Sequence, residues 1–265
     1  MAKELFAIFG NPVSHSKSPL MHNLAFQGLS YDACYTRYLL KNGSTLKETF
    51  FNLKLKGVNV TVPHKEAAFN ACDFLDPFAQ KIGVVNTIIE KEGKLYGYNT
   101  DAPGFLKAIS EFKEIKTVLF LGAGGTAQAT SVILKDEGYE VTLLNRSEER
   151  LKKYKADNFK TYTFETFEPQ TYDLVINMTS AGLEDDSLPA PKEILDTVIP
   201  QAKACMDVIY GKETAFLKLA KSHNKPTKDG SDMLLYQGII AFEYFTQSSY
   251  TFESIKSYMQ KAFLL

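Results

Sequence analysis

The sequence predicts an α/β protein built as two domains. Three observations carry that expectation. The 265 residues exceed the usual size of a single core. Strand-like and helix-like patterns alternate from the N-terminus onward. Near the middle, the buried apolar run Thr117–Leu121 leads straight into G-A-G-G-T-A and then a helical stretch.

Taken in order, Leu5–Phe9 reads as the first strand. Ser18 as N-cap, followed by Pro19, starts a helix that stops near Gly28. Asp32–Leu40 predicts a second strand. Thr45 and Glu48 have capping-box spacing for a helix ending near Gly57. Val58–Val62 is a short buried strand closed by Pro63, and Lys65–Cys72 a further helix. Val85–Glu90 and Lys94–Tyr98 flank Lys91–Gly93 as a hairpin. Asp101 suits the N-cap of a helix Ala102–Phe112, with Pro103 in its first turn, and Asp101–Glu114 is where one domain is expected to pass into the next. Thr117–Leu121, a helix to about Glu137, the strand Glu140–Leu144 and a charged helix from near Ser147 follow. Asp173–Asn177 and Ala204–Ile209 supply later strands. Asp232–Phe245 and Phe252–Phe263 read as helices expected to pack back on the first domain.

Composition narrows the function classes. A formal net charge of −1 gives no electrostatic reason for a nucleic acid or an anionic membrane as partner. The N-terminal M-A-K-E-L-F-A-I-F-G reads as a strand and not a signal peptide, and no run approaches the roughly 18 apolar residues of a membrane helix. Cys34, Cys72 and Cys205 are odd in number and scattered, as expected of reduced thiols in the cytoplasm. The four histidines lack metal-ligand spacing, so no metal is expected.

The glycine-rich turn indicates a dinucleotide. Gly122, Gly124 and Ala127 match G-x-G-x-x-A, with Ala123 and Gly125 completing the turn. Gly122 would make the tight turn, Gly124 would let the backbone approach a pyrophosphate, and Ala127 would let helix and strand pack closely. The position that usually carries an acidic residue for the ribose of NAD is Asn145, followed by Arg146. A carboxylate would repel a 2′-phosphate, whereas a guanidinium can grip one, so NADP is expected over NAD. Ser147 adds a hydroxyl and the start of a helix, whose amides favour an anion.

Three polar segments of the first domain lack a core-packing explanation. In N-P-V-S-H-S-K-S, the hydroxyls of Ser14 and Ser16 stand just beyond a strand, where ligands of open α/β sheets gather. In N-V-T-V-P-H-K, alternation puts Asn59 and Thr61 on one strand face and Val58, Val60 and Val62 on the other, with Lys65 after the turn. A lysine in such a site can exchange protons near neutral pH. The third segment comprises Asn86 in V-V-N-T and the run Y-N-T-D-A-P-G-F, where Asp101 could hold an ammonium instead of capping its helix.

The ordered run S-x-S, N-V-T-V-P-x-K, V-N-T, N-T-D-x-x-G, G-A-G-G, N-R-S and G-x-x-M-L-x-x-Q, from Ser14 to Gln237, resembles the shikimate dehydrogenase family. The resemblance implies a substrate domain of residues 1–103 and 238–265 and a Rossmann-type NADP domain of residues 104–237. It implies reversible reduction of 3-dehydroshikimate to shikimate by NADPH. Ser14 and Ser16 would bind the substrate carboxylate, and Asn59, Thr61, Asn86 and Gln237 its ring hydroxyls, with Tyr210 close by. Lys65 and Asp101 would be the catalytic pair. Gly230 would line the nicotinamide pocket, with Thr179 and Val208 nearby. A cytoplasmic monomer or homodimer is expected. Three departures concern nicotinamide-side contacts and cofactor affinity: Gln128 where the family often has a basic residue after the glycines, which leaves Arg146 as the main phosphate clamp; Met178 in place of a small residue; and an Asp207–Thr214 segment that lacks the proline common after the tyrosine and is a residue shorter. Two alternatives stay open: an enzyme that also accepts quinate or prefers NAD, and a non-catalytic NADP-binding sensor. Arg146 argues against NAD, and the pair Lys65 and Asp101 against a sensor.

Overall fold

A computed structural model of the chain describes residues 3–265, so the first two positions of the range 1–103 lie outside the described residues. The chain divides into two units, Met1–Gly104 with Leu235–Leu265, and Phe105–Leu234.

In the first unit the chain runs β1 (Glu4–Gly10), α1 (Ser18–Gly28), β2 (Ala33–Leu39), α2 (Leu46–Asn52), β3 (Gly57–Val60), α3 (Lys65–Ala71), β4 (Phe74–Leu75), α4 (Pro77–Ile82), β5 (Thr87–Lys91) and β6 (Lys94–Tyr98). The sheet order is β2-β1-β3-β5-β6-β4. β1 pairs in parallel with β2 and β3, while β5 runs antiparallel to β3 and β6. The β5–β6 turn places Glu92 and Gly93 both at positive φ, 52° and 75°, the primed geometry that matches the twist of paired strands. Phe9, Val58, Val60, Ile88 and Leu95 form one side of this unit's core with Leu46 and Phe50 of α2.

Helix α5 (Asp101–Ile109) contains the first boundary between units. The second unit runs β7 (Thr117–Leu121), α6 (Gly125–Asp136), β8 (Glu140–Leu144), α7 (Lys152–Ala156), β9 (Lys160–Tyr162), β10 (Leu174–Asn177), α8 (Lys192–Val198), β11 (Ala204–Asp207), α9 (Ala215–Ser222) and β12 (Thr227–Lys228). Every pair is parallel, in the order β12-β11-β10-β7-β8-β9. This is the doubly wound order, which reverses between β7 and β10 and opens a crevice at their carboxyl ends. α10 (Ser231–Phe245) contains the second boundary, and α11 (Phe252–Met259) completes the first unit. The division falls at 104/105 and 234/235 instead of 103/104 and 237/238, because both boundaries lie inside continuous helices.

Several local expectations need correction. Ser18 does not cap α1; the cap position is Lys17, without a side-chain bond, and the Ser18 N–H goes to the Ser16 hydroxyl at 3.2 Å. The capping box at Thr45 and Glu48 does not form: Thr45 makes no side-chain cap bond, and α2 ends at Asn52. β3 stops at Val60, and Val62 is 64% exposed. The strand predicted to Ile209 ends at Asp207, and the helix expected from Ser147 begins as α7 only at Lys152. β4, α4, β9, α8, α9 and β12 were not anticipated. Among the described residues no helix is long and apolar enough to cross a membrane.

Candidate active site

Lys65 is the first residue of α3 and Asp101 the first of α5. Their side chains meet at 2.6 Å between Nζ and Oδ2, with only 17% and 13% of the two side chains exposed. Asp101 is free for this contact because Asn99 takes over the helix terminus: its Oδ1 accepts the N–H of Ala102 at 3.1 Å. The expected capping role of Asp101 therefore gives way to an ion pair. Close packing fixes the helix further, since a Cβ on Gly104 would lie 2.5 Å from the backbone nitrogen of Gln237 on α10.

A chain of buried hydrogen bonds connects the neighbouring candidates. The Tyr35 hydroxyl donates to Asn59 Oδ1 at 2.6 Å, and Asn59 Nδ2 donates to Thr87 Oγ1 at 2.9 Å. Thr87 donates to Asn86 Oδ1 at 3.2 Å, which also accepts the N–H of Thr100 at 2.7 Å. Thr100 is next to Asp101, and the Lys65 carbonyl accepts the N–H of Val85, next to Asn86. Each amide orientation is thus set by its partners. Thr61 is half-buried, with its N–H on the Phe9 carbonyl. Ser14 is exposed and Ser16 buried; both guanidinium contacts of Arg37, at 2.5 and 3.1 Å, hold the Ser16 carbonyl. Gln237 is buried on α10 in this unit. Tyr210 stands in the second unit, half-buried.

In the second unit a groove of about 910 Å³ opens at the sheet reversal. Gly122, Ala123, Gly124, Asn145, Arg146 and Thr179 line it, as does Met178. Gly122 has φ +114°, and a Cβ there would sit 2.6 Å from Thr179 Cγ2, so the turn needs glycine twice over. A Cβ on Gly124 would meet no protein atom within 4 Å. Ala127 is fully buried on α6. Asn145 Nδ2 donates to the Ser147 carbonyl at 2.9 Å, closing the turn that carries Arg146. Gly125, Ala127, Ser147, Val208 and Gly230 are not among the lining residues. Ser147 lacks the expected helix start, because the next four residues form a bend and a 3-10 segment first. Gly230 packs on the backbone of Val208, where any Cβ would strike the carbonyl.

The family described as shikimate dehydrogenase substrate binding domain matches residues 8–88. A shikimate dehydrogenase (NADP(+)) of Helicobacter hepaticus is 44% identical over 92% of this chain and 92% of its own length. The chain belongs to the shikimate dehydrogenase family. The Helicobacter pylori relative is 40% identical, over 99% of this chain and all of its own. The Thermus thermophilus shikimate dehydrogenase, solved in complex with NADP(H) and shikimate, has a TM-score of 0.84 at 33% identity and covers 98% of this chain and 99% of its own. For a shikimate dehydrogenase, sequence reasoning missed Arg150, which lines the groove four residues beyond Arg146. It also missed the supporting residues Tyr35, Thr87, Asn99 and Thr100. The supports are polar residues of ordinary appearance whose meaning is entirely their partners.

Proposed function

We propose that this protein reversibly reduces 3-dehydroshikimate to shikimate with NADPH. The ion pair between Lys65 and Asp101 carries the reading. An ammonium held by a carboxylate at a protected site supplies a proton at a fixed position and stabilises negative charge on a nearby oxygen, the two needs of carbonyl reduction. In this reading Lys65 gives its proton to the carbonyl oxygen as the alcohol forms and regains one from solvent, while Asp101 stays ionised and keeps the amine aimed. Ser14 and Ser16 bind the carboxylate of the substrate. Asn59, Thr61, Asn86, Gln237 and Tyr210 hold its hydroxyls.

The groove residues fit a 2′-phosphorylated dinucleotide. Gly124 leaves space for a pyrophosphate where a side chain would fill it, the α6 terminus offers free N–H groups, and two guanidinium groups, Arg146 and Arg150, present positive charge with no acidic residue at position 145. When bound there, NADPH supplies the hydride for the carbonyl carbon. Thr179, Val208 and Gly230 support the nicotinamide end. On this reading Met1–Gly104 with Leu235–Leu265 is the substrate domain and Phe105–Leu234 the cofactor domain, in a cytoplasmic monomer or homodimer with no nucleic-acid or membrane partner.

The test is a near-ultraviolet absorbance assay of the purified protein with shikimate and with quinate, each against NADP and NAD. Turnover of shikimate with NADP, well above every other pairing, is expected. Turnover confined to NAD, or none with shikimate, would overturn the proposal.

A further inference from the structure

Asp207 closes β11, in register with Asn177 at the end of β10. Asp207, Asn177 and Thr214 are all fully buried. Three buried polar side chains together are expensive unless every group is paired, and here they are. Asp207 Oδ2 accepts from Asn177 Nδ2 at 3.0 Å and from the Thr214 hydroxyl at 2.7 Å, and Oδ1 accepts the N–H of Ile209 at 2.9 Å. Burial pushes the carboxyl pKa up, and the three donors oppose that push.

An ionised carboxylate can only accept. Asn177 must therefore turn its nitrogen towards Asp207, which leaves its Oδ1 facing Thr179. That oxygen takes both the N–H and the hydroxyl of Thr179, at 2.9 and 2.7 Å, and the Thr179 oxygen takes the N–H of Ala181 at 3.0 Å. With an amide at 207, Asn177 would have reason to flip, and its NH2 would then confront the Thr179 N–H. The bond to Ile209 works in a second direction. It folds the chain back through Val208, and the Ile209 carbonyl accepts the N–H of Gly230 at 2.9 Å.

We infer that Asp207 is a positioning residue for the cofactor: one buried carboxylate fixes Thr179 through Asn177, and Val208 and Gly230 through its own turn. The inference rests on the reading of the groove as the NADP site. It names a residue that touches no groove surface yet sets three segments assigned to the nicotinamide end.

Asp207→Asn keeps the shape, removes the charge and replaces one of the two acceptor oxygens with a donor NH2. In fluorescence titration, the NADPH Kd of the variant should rise by about tenfold or more, the scale of a lost charge-assisted hydrogen bond. The shikimate Kd, measured by calorimetry, should rise by much less than the NADPH Kd, because of the residues assigned to shikimate only Tyr210 belongs to the same unit as Asp207. If Asp207→Asn does not fold by circular dichroism, Thr214→Val replaces it: the NADPH Kd should rise selectively, and Thr214→Ser, which keeps the donor, should bring it back towards the wild-type value. An unchanged NADPH Kd, or equal losses for both ligands, would overturn the inference. Wild-type protein that binds shikimate but not NADPH would instead overturn the reading of the groove, and this inference with it.

Discussion

A lysine ammonium has three protons to offer. Asp101 takes one at 2.6 Å, leaving the others for a ligand on the exposed fraction of the side chain. Removing the amine while keeping the fold isolates that role. Lys65→Ala should lower the turnover number by about 10² or more, the usual scale for general acid–base catalysis, with little change in the shikimate Michaelis constant. Near-normal turnover would exclude Lys65 as the proton donor. At this scale the sequence was informative about which residues matter and less so about why. Asn99, Thr100 and Asp101 are three consecutive side chains able to cap a helix, and only the three-dimensional offset of one residue decides that Asn99 does it. Arg150 was overlooked because an arginine in a charged run looks like a solvated face until the chain turns it towards the groove.

Elements long enough to repeat a pattern were legible; short ones were not. The β7–α6–β8 unit, with a buried five-residue strand on each side of a 12-residue helix, was located nearly to the residue. α4 has only six residues, too few to display a period, although its signals are all present: Asp76 accepts from Phe78 and Ala79, Pro77 opens the helix and Gly83 closes it at φ +71°. The two-residue strands β4 and β12 are defined by pairing with β6 and β11, which no local pattern reveals. The same holds for the contact of α5 with α10. Gly104 looks like a poor helix residue, yet it admits the Gln237 backbone, with Cβ-equivalent distances of 2.5–2.8 Å. Backbone cannot yield as a flexible side chain would. Gly104→Ala should therefore cost about 1–3 kcal/mol in urea unfolding, the range for overpacking, against the gain alanine normally brings inside a helix. The displaced first turn of α5 would also carry Asp101 off Lys65 and lower turnover. A variant as stable and active as wild type would show that the two helices separate without consequence.

At the scale of the whole molecule, the first unit is assembled from chain ends more than 200 residues apart in sequence, and an aromatic cluster joins them. Phe6 of β1 meets Phe26 of α1 at 5.3 Å and Phe245 of α10 at 4.8 Å, and Phe26 meets Phe242 at 4.9 Å. Inside this cluster lies His22, fully buried, stacked on Tyr35 at 4.3 Å, with both ring nitrogens lacking a hydrogen-bond partner. Burial alone pushes its pKa from the ordinary 6.5 down to about 3. Between those two values the unfolded chain holds a proton that the folded chain refuses. Stability is therefore retained above pH 6.5 and lost as the pH falls towards 3. For a single site this amounts to about 2 kcal/mol between pH 7.5 and pH 5. His22→Phe keeps a ring in the cluster and removes the titration. Urea unfolding at the two pH values should show wild type losing about 2 kcal/mol more than the variant. Equal losses in the two proteins would mean that water or a rearranged partner reaches the imidazole, and that the aromatic seam between the chain ends is less dry than its packing implies.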